Sequence, residues 1–188
     1  SRCTSASSAE RMATILLTGA TGYIASHTWL ELQAAGYDVV GLDDFSNSSP
    51  EVLNRLEELS GKAPVFERAS VCDAAAMDGV FTRHRIDAVV HFAAFKAVGE
   101  STQQPLRYYA NNIGGLLALC QAMRAHDVGR IVFSSSATVY GKPETLPIRE
   151  DAAHLLQELG RVDDTLDAVS SETHFPRLQF LRMSGAAS

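Results

Sequence analysis

The sequence predicts an α/β protein of the Rossmann type, with a doubly wound parallel sheet covered by helices on both faces. Short apolar runs rich in β-branched residues alternate along the chain with segments of helical periodicity. A glycine-containing turn joins the first apolar run to the first helical segment, and an aspartate closes the second run. Continuous apolar runs are typical of parallel strands that are buried between two helical layers.

The elements alternate regularly up to residue 134. The first apolar run stops at Gly19, and the helical segment after it ends where Gly36 supplies a C-terminal stop. After Asp151, apolar residues recur at helical spacing from Leu155 to Val169, which predicts an amphipathic helix. We predict strands over residues 14–18, 38–42, 64–68, 88–93 and 130–134, and helices over 24–35, 54–59, 74–84 and 112–126.

These patterns divide the 188 residues into three regions. Residues 1–11 are rich in Ser and Ala and lack periodicity, so we expect a disordered N-terminal extension, with Met12 as the natural start. Residues 12–151 are predicted to form the Rossmann domain, and residues 152–188 a tail that ends in an unpatterned, disordered stretch. The length suffices for one domain with a core and is too short for a full second domain.

Composition excludes several kinds of partner. The net charge of −6 would repel a polyanion, so we expect no nucleic-acid partner. The apolar runs are too short to span a bilayer and no export signal is visible, so we expect no membrane partner. Cys3, Cys72 and Cys120 are odd in number and far apart, which predicts neither disulfides nor a metal site and favours a cytoplasmic location.

The segment from Gly19 to Ala25 predicts a phosphate-binding turn, because it follows a predicted strand and opens a predicted helix. Gly19 permits a tight turn, and Gly22 lets the backbone approach a pyrophosphate with no Cβ in the way. The free N–H groups and positive dipole end of the helix then attract an anion. Taken alone, the pattern also fits an ordinary glycine-containing turn.

Asp43 closes the second predicted strand, where a carboxylate can accept hydrogen bonds from the hydroxyls of an adenosine ribose. The same charge would repel a 2′-phosphate, so the sequence favours NAD over NADP as the cofactor. Asp44 lies beside it and can share this role. The alternative for both residues is a simple Asp-Asp-Phe-Ser-Asn turn.

Four strings carry a family resemblance, which extends from Thr14 to Asp151. They are TGATGYIASHT (18–28), HFAAFKAVGES (91–101), YYANN (108–112) and FSSSATVYG (133–141). With these strings the chain resembles the UDP-glucose 4-epimerase branch of the extended short-chain dehydrogenase/reductase family, and Lys-Ala-Val-Gly-Glu (96–100) is typical of that branch. The resemblance implies an NAD-dependent isomerase of galactose metabolism that acts on a UDP-sugar as a homodimer, here without the C-terminal substrate domain.

The resemblance also implies roles for individual residues. Lys96 would lie near the nicotinamide ribose and the substrate, and Ser136 would hydrogen-bond the reacting sugar hydroxyl as a catalytic and substrate-binding residue. His91 lies in an apolar strand and is expected to be a satisfied core residue. The cofactor would contact residues at the strand exits and the first helix, namely Gly19, Gly22, Tyr23, Ile24, Asp43, Asp44, Asn47, Ser48, Val71, Phe92, Ala93, Ala94, Lys96 and Asn111.

Two departures from the family bear on activity. Ser70 stands where the family usually has an Asp that bonds the adenine ring, so a weaker NAD contact is expected there. The catalytic Tyr-x-x-x-Lys pair should follow Asp151 and is absent, since none of the five tyrosines has a Lys four positions later. Because the similarity stops abruptly near Asp151, we expect a frameshift or truncation of the reading frame there.

Three interpretations follow. The first is a UDP-glucose 4-epimerase whose activity is impaired in this chain. The second is a catalytically inactive NAD-binding or regulatory fragment, which the missing Tyr and Lys favour. The third is another nucleotide-sugar epimerase or dehydratase, which the string from Lys96 to Glu100 disfavours.

Overall fold

A computed structural model describes residues 12–135, 147–148, 168–169 and 178–182 of the chain. The strands are β1 (Thr14–Thr18), β2 (Asp38–Asp43), β3 (Val65–Arg68), β4 (Ala88–His91), β5 (Arg130–Ser134), β6 (Ala168–Val169) and β7 (Leu178–Arg182). The helices are α1 (Tyr23–Ala34), α2 (Glu51–Ser60), α3 (Ala74–Arg83), α4 (Val98–Gln103), α5 (Pro105–Tyr109) and α6 (Gly115–Ala125), with a π-helical turn at Ala110–Gly114.

The strands form one sheet in the order β3-β2-β1-β4-β5-β7-β6. Strands β1 to β5 are parallel, whereas β7 is antiparallel to β5 and β6 is antiparallel to β7. The chain builds outward from β1 in one direction and then returns to add β4 on its other side. The five parallel strands with helices between them confirm the predicted Rossmann fold, and this reversal creates a crevice at the carboxyl ends of β1 and β4.

Successive residues of each strand enter two separate cores, one on each face of the sheet. Leu16, Val40 and Val89 belong to the core that packs against α3 and α6. Ile15, Leu17 and Val39 belong to the other core, which surrounds the fully buried Trp29 of α1. Both faces are covered, which is why the strands are continuously apolar rather than alternating.

The structure differs from the sequence prediction between β4 and α6. Two short helices, α4 and α5, occupy residues for which no element is predicted, and the predicted helix over 112–126 begins as a π-helical turn. Two residues explain why α4 and α5 were not predicted. Gly99 weakens the helical pattern of α4, and Pro105, which usually interrupts a helix, is here the first residue of α5. None of the helices in the described part of the chain is long and apolar enough to cross a membrane.

The segments after β5 also depart from expectation where the structure describes them. The predicted helix from Leu155 lies mostly outside the described residues, but its last residue, Val169, lies in β6. The unpatterned stretch 170–188 contains β7, which pairs with β5 in register from Arg130↔Arg182 to Ser134↔Leu178. Pairing with a distant strand decides these elements, and local periodicity cannot report it. The predicted N-terminal extension also lies outside the described residues.

Candidate functional site

The glycine turn lies where the backbones of β1 and β4 leave the sheet side by side. Gly19 has φ +67°, a conformation that glycine adopts without strain. A Cβ at Gly19 would lie 2.8 Å from the backbone nitrogen of Ala93 and 3.0 Å from the carbonyl carbon of Phe92. Only a residue without a side chain therefore fits between the two strand exits.

Helix α1 begins directly after this turn with its first amides outside the helical hydrogen-bond ladder. Gly22 is the N-cap and supplies no side-chain cap, and no acidic residue lies in the first turn. The ladder starts when the Ser26 amide donates to the Gly22 carbonyl over 2.9 Å. The N–H groups ahead of Ser26 thus point out of the helix end, where they and the dipole favour an anion.

Asp43 ends β2 beside the turn, and its carboxylate is fixed by three donors. The Thr21 amide donates to Oδ2 over 3.1 Å, while the Phe45 amide and the Ser48 hydroxyl donate to Oδ1 over 2.8 and 3.1 Å. A carboxylate has about four lone-pair sites, so Oδ2 retains acceptor capacity. Asp43 therefore couples the glycine turn to the loop after β2 and can still accept a bond from a ligand hydroxyl.

These groups open onto one cleft, which contains about 590 Å³ of space free of protein atoms and is partly open to solvent. It is lined by the predicted residues Gly19, Gly22, Asp43, Asp44, Asn47, Ser48, Val71, Phe92, Ala93, Ala94 and Asn111. Ser70, where a weaker adenine contact is expected, also lines it, together with Leu42, Ser46, Ala69 and Phe95.

The other predicted site residues lie elsewhere. Tyr23 and Ile24 occupy the first turn of α1, are 82% and 52% exposed, and do not line the cleft. Lys96 is exposed on the loop after β4 and does not line the cleft. Ser136, predicted for both catalysis and substrate binding, lies outside the described residues. The roles of all these residues stay predictions.

The π-helical turn supports the far wall of the cleft. Asn112 clamps the backbone of Phe95, because its Oδ1 accepts the Phe95 amide over 2.8 Å and its Nδ2 donates to the Phe95 carbonyl over 3.0 Å. Asn111 Nδ2 donates to the same Asn112 oxygen over 2.9 Å. The loop that follows β4 is thus held at a fixed distance from α6.

A buried hydrogen bond joins the last residues of β1 and β4. Thr18 Oγ1 lies 2.7 Å from His91 Nδ1, and the His91 ring stacks on Phe133 of β5 with 5.8 Å between ring centroids. Burial, reinforced by the positive charge of Lys96, lowers the pKa of His91 to about 4. His91 is therefore neutral near pH 7, and the expectation that it is a satisfied core residue is confirmed.

The sequence did not reveal the residues that hydrogen-bond and position the residues of the cleft. Thr21 was visible only as a non-glycine position of the turn, yet its amide binds Asp43 and its hydroxyl lies 2.7 Å from that of Ser48. Asn112 was not predicted to have a role, because the resemblance points to its neighbour Asn111 instead. A π-helical turn also leaves no signature in the sequence. Within the described ranges, no group of three or more His, Cys, Asp or Glu is placed to hold a metal ion.

Comparison with known proteins decides the family. Residues 15–158 match the NAD dependent epimerase/dehydratase family. The chain belongs to this family. The epimerase/dehydratase match includes the glycine turn, the residues around Asp43 and the five parallel strands except Thr14.

Individual members of the family are similar over the same part of the chain. The UDP-glucose 4-epimerase of Bacillus subtilis (strain 168) is 56% identical over 137 residues, which is 73% of this chain and 40% of the relative. The UDP-glucose 4-epimerase of Mus musculus is 50% identical over 149 residues, 76% of this chain and 42% of the relative. The chain thus spans about two fifths of the length of these curated relatives.

A solved structure agrees with the sequence match. The UDP-glucose 4-epimerase of Bifidobacterium longum, solved in complex with NAD+ and UDP, superposes with a TM-score of 0.72 at 48% identity. The superposition covers 76% of this chain and 42% of that structure. The fold of this chain is therefore that of the N-terminal part of an epimerase.

Proposed function

We propose that this chain is the cofactor-binding part of a UDP-glucose 4-epimerase, an isomerase that interconverts UDP-glucose and UDP-galactose with bound NAD. The observation that carries the proposal is the carboxylate of Asp43, which is bonded to the Thr21 amide of the glycine turn and faces the same cleft as the helix end. This arrangement brings an acceptor for ribose hydroxyls next to a site for a pyrophosphate. The sugar assignment is supported by the names of the relatives alone.

The residues of the cleft fit NAD. Gly19 and Gly22 leave room for the pyrophosphate, and the first amides of α1 point at it without competition from a side-chain cap. Asp43 retains a free acceptor site for the adenosine ribose, with Asp44, Asn47 and Ser48 around it. Ser70 and Val71 also line the cleft, and by resemblance the adenine ring would lie beside Ser70.

The proposed reaction inverts one carbon of the sugar. When bound, NAD supplies the hydride acceptor and donor for that carbon. Ala93 and Ala94 form the wall on which the nicotinamide end would rest, and small side chains there leave room for it. By resemblance, Ser136 would hold the reacting hydroxyl, and the Lys96 ammonium would lie by the nicotinamide ribose.

A second candidate is a chain that binds NAD without turning substrate over. The observation that favours it is the absence from the printed sequence of any Tyr followed four positions later by Lys. Removal of the hydroxyl proton by a general base contributes about 10²–10⁴-fold to such a reaction. Ser136 and Lys96 do not replace this base, because a serine hydroxyl is a weak proton acceptor and a lysine ammonium carries donors only.

We also propose a homodimer in the cytoplasm. Leu106, Tyr109, Ile113 and Leu117 are exposed and recur at three- and four-residue spacing along α5, the π-helical turn and α6, so they form an apolar stripe. Burial of this stripe against a second copy would remove it from water. Light scattering should give twice the chain mass of 20.2 kDa, and a monomer mass at micromolar concentration would exclude the dimer.

One assay separates the two candidates. UDP-glucose is incubated with the purified chain, UDP-galactose is measured by HPLC, and bound NAD is released by denaturation and quantified in parallel. Turnover together with bound NAD supports the epimerase, whereas bound NAD without turnover supports the second candidate. Neither bound NAD nor affinity for added NAD would overturn both.

A further inference from the structure

Thr18 and His91 stand directly before the two backbone segments that the candidate cofactor site brings together. They are register partners at the ends of β1 and β4, and they are 0% and 2% exposed. Gly19 follows Thr18, while Phe92 and Ala93 follow His91. A hydrogen bond of 2.7 Å between their side chains therefore links the two strands directly before the cleft opens.

The direction of this hydrogen bond depends on which nitrogen of His91 carries the proton. The Ala93 amide lies 3.4 Å from Thr18 Oγ1, and an amide N–H can only donate, so the hydroxyl oxygen accepts there. The single hydroxyl proton of Thr18 remains available for His91 Nδ1, and it is donated there when Nδ1 is unprotonated. In that tautomer the proton of the neutral imidazole lies on Nε2.

Hydrogen bonds to Thr18 fix the distance between Gly19, after β1, and Ala93, after β4. The Phe92 amide donates to the Thr18 carbonyl over 3.1 Å, and the Ala93 amide reaches the Thr18 hydroxyl. This gap is narrow, since a Cβ on Gly19 would lie 2.8 Å from the Ala93 nitrogen. Stacking on Phe133 of β5 holds the His91 ring in the plane that the bond requires.

We propose that Thr18 and His91 are a positioning pair for the cofactor, and that a hydroxyl-to-imidazole hydrogen bond sets the distance between the glycine turn and the exit of β4. The inference rests on the proposed function, because it assumes that NAD lies across this gap. Neither side chain is assigned a contact with the cofactor. Each acts through the backbone of Gly19 and Ala93.

Paired variants separate this role from simple core packing. Thr18→Val removes the hydroxyl and keeps the shape, while Thr18→Ser keeps the hydroxyl. His91→Leu removes the acceptor, while His91→Asn keeps an oxygen near the position of Nδ1. We expect Thr18→Val and His91→Leu to weaken NAD binding about tenfold by titration calorimetry, the scale of one buried hydrogen bond. Thr18→Ser and His91→Asn should recover most of the affinity.

Matched measurements control for a loss of stability. His126→Asn, which removes an imidazole bonded to Asp78 far from the cleft, should leave the NAD dissociation constant unchanged. Binding is measured at a temperature where every variant is folded, so a purely structural role would lower the melting temperature and leave the dissociation constant alone. Equal NAD affinity in Thr18→Val and wild type would overturn the proposal.

A second readout does not depend on the cofactor. Nitrogen NMR of the His91 ring should show a neutral imidazole with its proton on Nε2 at pH 7, and Thr18→Val should speed hydrogen exchange of the Ala93 amide. A proton on Nδ1, or an unchanged Ala93 amide, would overturn the pair as described. If wild type shows these signals and does not bind NAD, the cofactor proposal fails and the described link between the strands stands.

Discussion

Replacement of Gly19 by Ala tests whether the close approach of the two strand exits is what demands glycine. The left-handed backbone at φ +67° costs an alanine about 1–2 kcal/mol. The new Cβ would also lie 2.8–3.0 Å from backbone atoms of Phe92 and Ala93, and backbone cannot rotate away. Overpacking of this kind costs about 1–3 kcal/mol, so we expect Gly19→Ala to destabilise the chain by about 2–5 kcal/mol in total.

Gly61 offers a matched control for this experiment. Its φ of +68° equals that of Gly19 within a degree, yet a Cβ there would meet nothing within 4 Å. Gly61→Ala should therefore show the backbone cost alone, about 1–2 kcal/mol. The free energy of unfolding is measured for both variants by urea denaturation, and NAD affinity by calorimetry. Equal destabilisation of the two variants, with NAD affinity intact in Gly19→Ala, would refute the steric argument.

Three further predictions concern stability and affinity. The pKa of His91 falls from 6.5 in the unfolded chain to about 4 in the folded chain, so the unfolded chain binds more protons between these pH values. Acidification from pH 6.5 to 4 should therefore lower the free energy of unfolding of wild type by up to ~3 kcal/mol, and His91→Asn should not show this loss. Parallel plots of unfolding free energy against pH for the two proteins would contradict this. Gly41→Ala should lower the free energy of unfolding, measured by urea denaturation, by about 3 kcal/mol or more, because its Cβ would lie 1.9 Å from a ring carbon of Trp29. A Gly41→Ala, Trp29→Leu double variant should recover part of this loss, and the absence of any recovery would argue against the clash. Ser70→Asp should tighten NAD binding about tenfold in calorimetry by adding a charged partner for the adenine ring, and an unchanged dissociation constant would exclude that contact.

Elements buried on both faces could be predicted from the sequence almost to the residue. Strands β1 and β5 have the predicted bounds, because a continuous apolar run between glycine or polar residues leaves one interpretation. The glycine turn could be placed as well, since its glycines lie between the first apolar run and the first helical segment. In these segments the residue types along the chain were sufficient to predict the structure.

Contacts between distant segments could not be predicted in the same way. The three donors on Asp43 come from both sides of β2, and the Asn112 clamp depends on a π-helical turn. Strand β7 exists through its pairing with β5, far away in the sequence. The link between Thr18 and His91 spans 73 positions, so a threonine before a glycine turn gives no sign of it.

Calorimetric titration of the chain with NAD and with NADP, repeated on the Asp43→Asn and Asp44→Asn variants, tests the central claim most directly. Asp43 is bonded to the glycine turn, whereas Asp44 accepts the Ser46 amide of its own loop. We therefore expect NAD to bind wild type at least about tenfold more tightly than NADP, and Asp43→Asn to lose about 10- to 100-fold in NAD affinity with a much smaller loss in Asp44→Asn. Equal affinities for NAD and NADP, or an Asp43→Asn variant that binds NAD like wild type, would contradict the account.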